Sequence, residues 1–140
     1  MQNQQGAKSY RVLCSDYDET LARDGLVPDV VVAALRRASA AGVRLVLATG
    51  REIEELEALF PHFRIFERIV AENGALLVTP ASGRCRRLAL PPPTEFIDLL
   101  AQRGVNPLAV GRVIVATRQP HEATLRATIA ELGLKYQVIA

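Results

Sequence analysis

Apolar and polar residues alternate along the first half of the chain in blocks that predict strands and helices in turn. The run "YRVLCS" before Asp16 predicts a short buried strand, and "VRLVLAT", which ends at Thr49, predicts a strand covered on both faces. Between them, apolar residues at helical spacing from Pro28 to Gly42 predict an amphipathic helix, and "REIEELEALF" predicts a second helix. The chain therefore begins with strand, helix, strand and helix.

A third strand and its neighbour are predicted in "RIVAENGALLVTP", where two apolar runs flank Asn73-Gly74. Asn-Gly is a strong hairpin signal because both residues tolerate a positive φ. The later run "RCRRLAL" carries Arg84, Arg86 and Arg87, and we expect an exposed charged strand there rather than a grip on an anionic substrate. The order of elements predicts an α/β fold with a Rossmann-like parallel sheet and right-handed crossovers.

Three successive prolines at positions 91–93 form a stiff connector and predict an internal boundary. We therefore expect two domains, residues 1–90 and residues 91–140. In the second domain the pattern predicts a helix, a strand, a helix and a strand, at about 94–103, 112–117, 121–132 and 135–140.

The composition is that of an ordinary globular protein, with 49% hydrophobic and 23% charged residues. A net charge of +2 is too small to predict nucleic-acid binding, which needs clustered Lys and Arg. No apolar run approaches the roughly 20 residues of a membrane span, and the first residues lack the features of a signal peptide, so we expect a cytoplasmic protein without membrane contact. Cys14 and Cys85 lack metal-ligand spacing, and we expect reduced thiols, with Cys14 packed in the core.

Polar residues follow each of the first three predicted strands, at Asp16, Thr49 and Asn73. Ligands bind at the carboxyl ends of the strands in open α/β sheets. A carboxylate at such an end can attack a phosphorus atom, and a second one two residues later, here Asp18, can serve as general acid and then as general base. The spacing therefore predicts a site for phosphate chemistry.

The residues after the second strand suit the same chemistry. The Thr49 hydroxyl can donate a hydrogen bond to a phosphoryl oxygen, and backbone N–H groups around Gly50 and Arg51 can add to an anion site. Mg²⁺ prefers oxygen ligands and retains waters, so the Asp16 carboxylate and the Asp18 carbonyl, with one further carboxylate, would suffice to bind it.

Plainer interpretations of these residues stay open. The two aspartates can form a polar turn after a strand. Thr49 can cap the following helix, with or without a role in phosphate binding. Arg51 can be a solvated first-turn residue, and Asn73-Gly74 can serve the hairpin alone.

Three segments resemble the motifs of a known family. "SDYDETL" resembles the first motif of haloacid dehalogenase superfamily phosphatases, "LATGR" resembles the second, and "VAENGA" resembles the segment after the third strand in the Cof-like branch. In that branch an α/β cap follows this strand, and the chain beyond the prolines looks like the start of such a cap. The resemblance implies a partial haloacid dehalogenase-like core with part of a cap.

The same resemblance implies roles for individual residues. Asp16 would be the nucleophile that becomes an aspartyl phosphate, and Asp18 would be the acid and base. Thr49 would bind phosphate, together with Gly50 and Arg51, and Mg²⁺ would be the cofactor, held at Asp16 and Asp18. Residues expected near the substrate are Thr20, Asn73 and Gly74.

Two departures from the family pattern stand out. Glu19 follows the second aspartate where the family most often has glycine, and no segment resembles the family's downstream lysine and acidic Gly-Asp motifs. We therefore expect the 140 residues of this chain to be the front portion of a longer phosphatase. Without the family's strand encoded after the cap, the strand that carries Asp16 would expose an apolar edge, and we expect self-association through it.

The sequence thus predicts a Mg²⁺-dependent phosphate monoester hydrolase that acts through an aspartyl phosphate on a small phosphorylated metabolite, such as a sugar phosphate. The alternative is a catalytically inactive truncated module with a binding or association role. A phosphoacceptor receiver domain fits less well, because such domains pair adjacent acids on the first strand and carry the acceptor on another.

Overall fold

The computed structural model describes residues 10–139. The chain divides between Arg86 and Arg87 into two compact units, each with its own hydrophobic core. This division lies just before the proline run 91–93, where the sequence predicts the boundary. Within residues 10–139, no helix combines the length and apolar character needed to cross a membrane.

The first unit is an α/β sheet structure. Its elements are β1 (Val12–Asp16), α1 (Asp29–Ala40), β2 (Arg44–Ala48), α2 (Ile53–Leu59), β3 (Arg68–Ala71), β4 (Leu76–Thr79) and β5 (Arg84–Arg87). The strands form one sheet in the order β1-β2-β3-β4-β5. Strands β1, β2 and β3 run parallel, and β4 pairs with β3 in the antiparallel direction. The predicted α/β fold with a mainly parallel sheet is therefore confirmed.

Helix α1 begins and ends where the sequence predicts, and the cap at its carboxyl end leads into β2. Pro28 precedes the first turn with φ −62°, a conformation the pyrrolidine ring already favours. At the other end Gly42 has φ +86°, and its N–H donates to the Ser39 carbonyl at 2.9 Å while Val43 N–H donates to the Ala38 carbonyl at 3.1 Å. These paired bonds form a Schellman cap that leads the chain directly into β2.

The core of the first unit lies around β2 and β3. Leu45 and Leu47 of β2 and Ile69 of β3 are almost fully buried. Three aromatic rings complete this core, with Phe60 at 6.1 Å from Tyr17 and 6.3 Å from Phe66 between ring centroids. Burial of such side chains stabilises a fold by about 1.5–3 kcal/mol each, so this core holds the strand ends in place.

Strand β1 lies at an edge of the sheet, and β2 is its neighbour among the described strands. Its apolar side chains are exposed, with Val12 at 51% and Leu13 at 42%. The expected apolar edge is therefore present, whereas the prediction of a buried strand is wrong. The prediction that Cys14 packs in the core is also wrong, because an edge strand leaves Cys14 exposed. At the other edge β5 presents arginines, as predicted, and such charges discourage edge pairing.

The second unit contains α3 (Thr94–Gln102), the antiparallel strands β6 (Leu108–Val110) and β7 (Val115–Thr117), and α4 (Glu122–Glu131). Its core is built on Phe96, Leu100 and Val105. The predicted helices are confirmed, but the strand predicted at 112–117 is shorter, and β6 was not predicted because three residues carry no readable alternation.

The strand predicted at 135–140 is wrong for residues 135–139, which form no strand, and Ala140 lies outside the described residues. The Tyr136 ring instead packs edge to face on Phe96, with 5.6 Å between ring centroids. A strand needs a neighbour for its backbone hydrogen bonds, and in the described part of this unit β6 and β7 pair with each other.

Candidate active site

Strand β1 ends at Asp16, and its register sets that carboxylate level with the ends of the neighbouring strands. Asp16 pairs with Ala48 of β2, and Ala48 pairs with Val70 of β3. Asp16 is exposed, and its Oδ1 accepts a hydrogen bond from Tyr17 N–H at 2.7 Å. The carboxyl ends of three parallel strands therefore meet at this carboxylate.

Tyr17 anchors the turn that follows β1. Its side chain is fully buried, and its hydroxyl donates to the Gly25 carbonyl at 2.9 Å. Burial raises the pKa of the Tyr17 phenol, so the hydroxyl keeps its proton and remains a donor. The Tyr17 carbonyl accepts backbone N–H groups from residues 20–22 at 2.8–3.4 Å. Sequence reasoning missed this anchor, whose signal was an aromatic residue between the two aspartates.

The turn also explains the departure at Glu19. Glu19 has φ +53°, a region that glycine enters without a steric penalty. The side chains of Glu19 and Thr20 are both exposed. The glycine typical of the resembling family thus has a backbone reason, and Glu19 adopts the left-handed conformation despite its side chain.

Thr49 follows β2 and is buried, with 5% of its surface exposed. Its Oγ1 accepts a hydrogen bond from Arg51 N–H at 3.1 Å, which leaves the hydroxyl hydrogen to be donated elsewhere. The N-cap of α2 is Glu52, so the interpretation of Thr49 as a helix cap is wrong. The Arg51 N–H, predicted to bind an anion, is committed to Thr49 Oγ1.

The loop after β2 and the turn after β3 are joined by main-chain hydrogen bonds. Thr49 N–H donates to the Val70 carbonyl at 2.9 Å, Glu72 N–H to the Arg51 carbonyl at 3.0 Å, and Asn73 N–H to the Thr49 carbonyl at 3.3 Å. The two loops therefore form one frame, which brings the predicted residues of the second and third motifs together.

Gly50 and Asn73 meet within this frame. A Cβ atom on Gly50 would lie 2.7 Å from Asn73 Oδ1, so any larger residue at position 50 would displace the Asn73 amide. Glu72 and Asn73 have φ +51° and +53°, and Gly74 has φ +94°, so the predicted hairpin turns through three left-handed residues. Asn73 and Gly74 are exposed on this turn.

The Arg51 side chain reaches across to the first motif. Its Nε donates to Asp18 Oδ2 at 2.9 Å, and its Nη2 donates to Asp18 Oδ1 at 2.8 Å. Its Nη1 donates to Glu55, and its guanidinium carbon lies 5.7 Å from the centre of the Tyr17 ring. The hydrogen bond to Asp18 is the main cause that raises the pKa of Arg51, against the opposing effect of burial. The Arg51 side chain is therefore ion-paired with two carboxylates and is not a freely solvated first-turn residue.

Sequence reasoning also missed Glu55, although its spacing of four residues from Arg51 on one helix turn is a readable signal for an ion pair. The two aspartates offer the hard oxygen donors that Mg²⁺ prefers. Within residues 10–139, however, no group of three or more His, Cys, Asp or Glu side chains comes together to hold a metal ion. The Asp16 carboxylate and the Asp18 carbonyl thus fit two protein ligands of a magnesium site.

The family model for haloacid dehalogenase-like hydrolases matches residues 13–137, a span that includes every motif described above. The chain belongs to this family. The mainly parallel sheet of the first unit matches that of haloacid dehalogenase-like proteins. A search among curated proteins found no match.

Solved structures of the family share the fold. A haloacid dehalogenase-like hydrolase from B. subtilis is 24% identical, with a TM-score of 0.53 over 70% of this chain and 34% of its own. A Thermoplasma acidophilum protein is 18% identical, with a TM-score of 0.64 over 90% and 59%. A subclass IIB sugar phosphatase is 22% identical, with a TM-score of 0.53 over 90% and 50%. The chain thus spans 34–59% of these proteins.

Proposed function

We propose that this family member is a phosphate monoester hydrolase that forms an aspartyl phosphate on Asp16. The observation that carries the proposal is the exposed Asp16 carboxylate in register with the end of β2, directly before Thr49. Thr49 Oγ1 accepts from Arg51 N–H, so its own hydrogen is available to a phosphoryl oxygen. A nucleophile and a hydrogen-bond donor for the phosphoryl group thereby occupy adjacent strand ends.

In the first step an Asp16 carboxylate oxygen forms a bond to phosphorus, and the bond from phosphorus to the ester oxygen breaks. Asp18 gives its proton to that leaving oxygen. In the second step water attacks the phosphorus of the acyl phosphate, Asp18 takes the proton, and phosphate and the Asp16 carboxylate are released. Asp18 thus returns to its starting state, and the cycle balances.

The cofactor expected for this chemistry is Mg²⁺. The Asp16 carboxylate and the Asp18 carbonyl would bind it. When bound, the ion offsets the negative charges of the nucleophile and the phosphoryl group. Thr49, with the backbone around Gly50, would hold the phosphoryl oxygens in place beside the carboxylate.

The proposed substrate is a small phosphorylated metabolite, such as a sugar phosphate. Support comes from the structural likeness to a sugar phosphatase and from the exposed turn with Asn73 and Gly74 beside the site.

Hydrolysis of p-nitrophenyl phosphate, with and without Mg²⁺, tests the proposal. We expect Mg²⁺-dependent turnover that falls by more than about 1,000-fold in Asp16→Asn, because the nucleophile is lost. Asp98→Asn removes an exposed carboxylate from α3 and should leave turnover unchanged. Equal rates for Asp16→Asn and the unchanged chain would refute the proposal.

A second candidate, an inactive module that acts by association, is favoured by one observation. Strand β1 presents exposed Val12 and Leu13 on an edge without a described neighbour beyond it. Such an edge offers backbone groups and apolar side chains for strand addition. Molar mass measured by light scattering over a range of concentrations tests this candidate, since a monomer throughout would exclude it.

A further inference from the structure

We propose that Arg51 is a positioning residue that holds the Asp18 carboxylate for proton transfer, rather than a ligand of the substrate phosphate. The inference rests on the proposed function and assigns Arg51 a different task from the one its motif suggests. The two hydrogen bonds of 2.8 and 2.9 Å form a bidentate pair in which the planar guanidinium matches both Asp18 oxygens.

Each of the three guanidinium nitrogens of Arg51 donates a hydrogen bond to a carboxylate. Nε and Nη2 donate to Asp18, and Nη1 donates to Glu55. Turning the guanidinium toward another anion would break at least one of these bonds. The backbone N–H of Arg51 is likewise committed, to Thr49 Oγ1 at 3.1 Å. Arg51 thus joins the second motif, through its backbone bond to Thr49, to the first motif, through its side-chain bonds to Asp18.

Arg51 is itself held from two further sides. Glu55 lies one turn along α2 and fixes the far end of the guanidinium. The Tyr17 ring lies under the guanidinium, with 5.7 Å from the ring centre to the guanidinium carbon, and that ring is buried. The Arg51 side chain is 23% exposed. Because the Arg51 side chain is restrained in this way, it can restrict the rotamers of the Asp18 carboxylate that it binds.

Asp18 needs this restraint because its side chain is 44% exposed. An exposed carboxylate samples several rotamers, and ordering it has an entropic cost. A partly exposed ion pair adds little to stability, but small displacements of a catalytic group reduce rates by up to about 100-fold. The role of the pair is therefore in the reaction rather than in folding.

Two phosphate esters with different leaving groups separate the two roles of Arg51. An alkyl phosphate needs a proton on its leaving oxygen, whereas p-nitrophenolate leaves without one. Arg51→Gln should lower kcat/KM for glycerol phosphate by about 10- to 100-fold and for p-nitrophenyl phosphate by less than about 3-fold. Loss of a phosphate ligand would lower both values equally and would overturn the proposal.

Three further variants sharpen this comparison. Arg51→Lys keeps the charge without the fork and should recover part of the alkyl ester activity. Glu55→Gln leaves Arg51 and Asp18 intact and should reproduce the effect of Arg51→Gln in weaker form. Arg44→Gln removes a matched bidentate pair, Arg44 Nε to Glu67 Oε2 at 2.7 Å, and should change neither kcat/KM.

Nitrogen-15 NMR of the arginine side chains tests the pair without turnover. The Arg51 Nε–H signal should be protected from exchange and should lose this protection in Asp18→Asn, while the Arg44 Nε–H signal stays unchanged. An Arg51 signal that is indifferent to Asp18→Asn would overturn the proposal. A chain that hydrolyses neither ester but shows the Asp18-dependent signal would count against the proposed function and for the positioning contact.

Discussion

At the scale of single residues, backbone conformation explains what residue type alone leaves obscure. Asp16, Asp18 and Thr49 could be proposed from the sequence because they lie at or just after the ends of predicted strands and within segments that resemble family motifs. The contact of Arg51 with Asp18 could not, because it joins residues 33 positions apart through a fork whose direction depends on the turn at Tyr17. Residue type gave the candidates, and the turn decided which of them touch.

Glu19 carries a testable strain. Its φ of +53° costs a residue with a Cβ about 1–2 kcal/mol. Glycine would remove this strain, but its greater conformational freedom in the unfolded chain would offset part of the gain in stability. Glu19→Gly should therefore raise the free energy of unfolding by about 0.5–1 kcal/mol, measured by urea denaturation. Glu57→Gly is the matched control, since the same exchange inside helix α2 should lower it by about 1 kcal/mol. A loss of stability in Glu19→Gly would contradict the argument.

At the scale of elements, apolar spacing was sufficient to predict the four α-helices of residues 10–139, whereas the predicted strands form only where a neighbouring strand pairs with them. The run 135–139 has the composition of a strand and forms none, and β6 is too short to show alternation. Helices satisfy their own backbone groups, so their signal is local. A strand depends on hydrogen bonds to a neighbouring strand that can lie far away in the sequence, and a single sequence does not show which segment that is.

The amino ends of β2 and β3 carry an ion pair with a defined pH dependence. The hydrogen bond from Arg44 lowers the pKa of Glu67, so the folded state binds that proton less tightly than the unfolded chain. The stabilisation is therefore present above the ordinary pKa of a glutamate and is lost as the pH falls through the lowered value. We expect Glu67→Gln to lower the urea midpoint at neutral pH and to converge with the unchanged chain as the pH falls below the lowered pKa of Glu67. A difference that persists in acid would show that packing, not charge, is involved.

At the scale of the whole molecule, we propose that the edge at β1 controls association. Leu13 is 42% exposed on that edge, and a lysine there would place a charge against any added strand. Leu13→Lys should shift the chain to the monomer in light scattering at concentrations where the unchanged chain associates. Val30→Lys replaces a more exposed apolar residue, at 71%, on helix α1 and should have no such effect. A similar response to both would assign association to general hydrophobicity.

The parallel pairing of β1, β2 and β3 was predictable from the alternation of strands and helices, and the apolar edge was predictable because the family resemblance places another strand beside β1. Burial of Cys14 was predicted wrongly for the same reason, since it depends on a neighbour that the described residues do not provide.

The main-chain bonds between the loop at Thr49 and the turn at Asn73 have a consequence for evolution. Because N–H and carbonyl groups form this frame, many side chains on the two loops can be exchanged without breaking its hydrogen bonds. Under the proposed function, point mutations on these loops can alter the contacts with a substrate while Asp16 and Thr49 keep their places. A lineage with this architecture can therefore change its substrate while it keeps the proposed reaction.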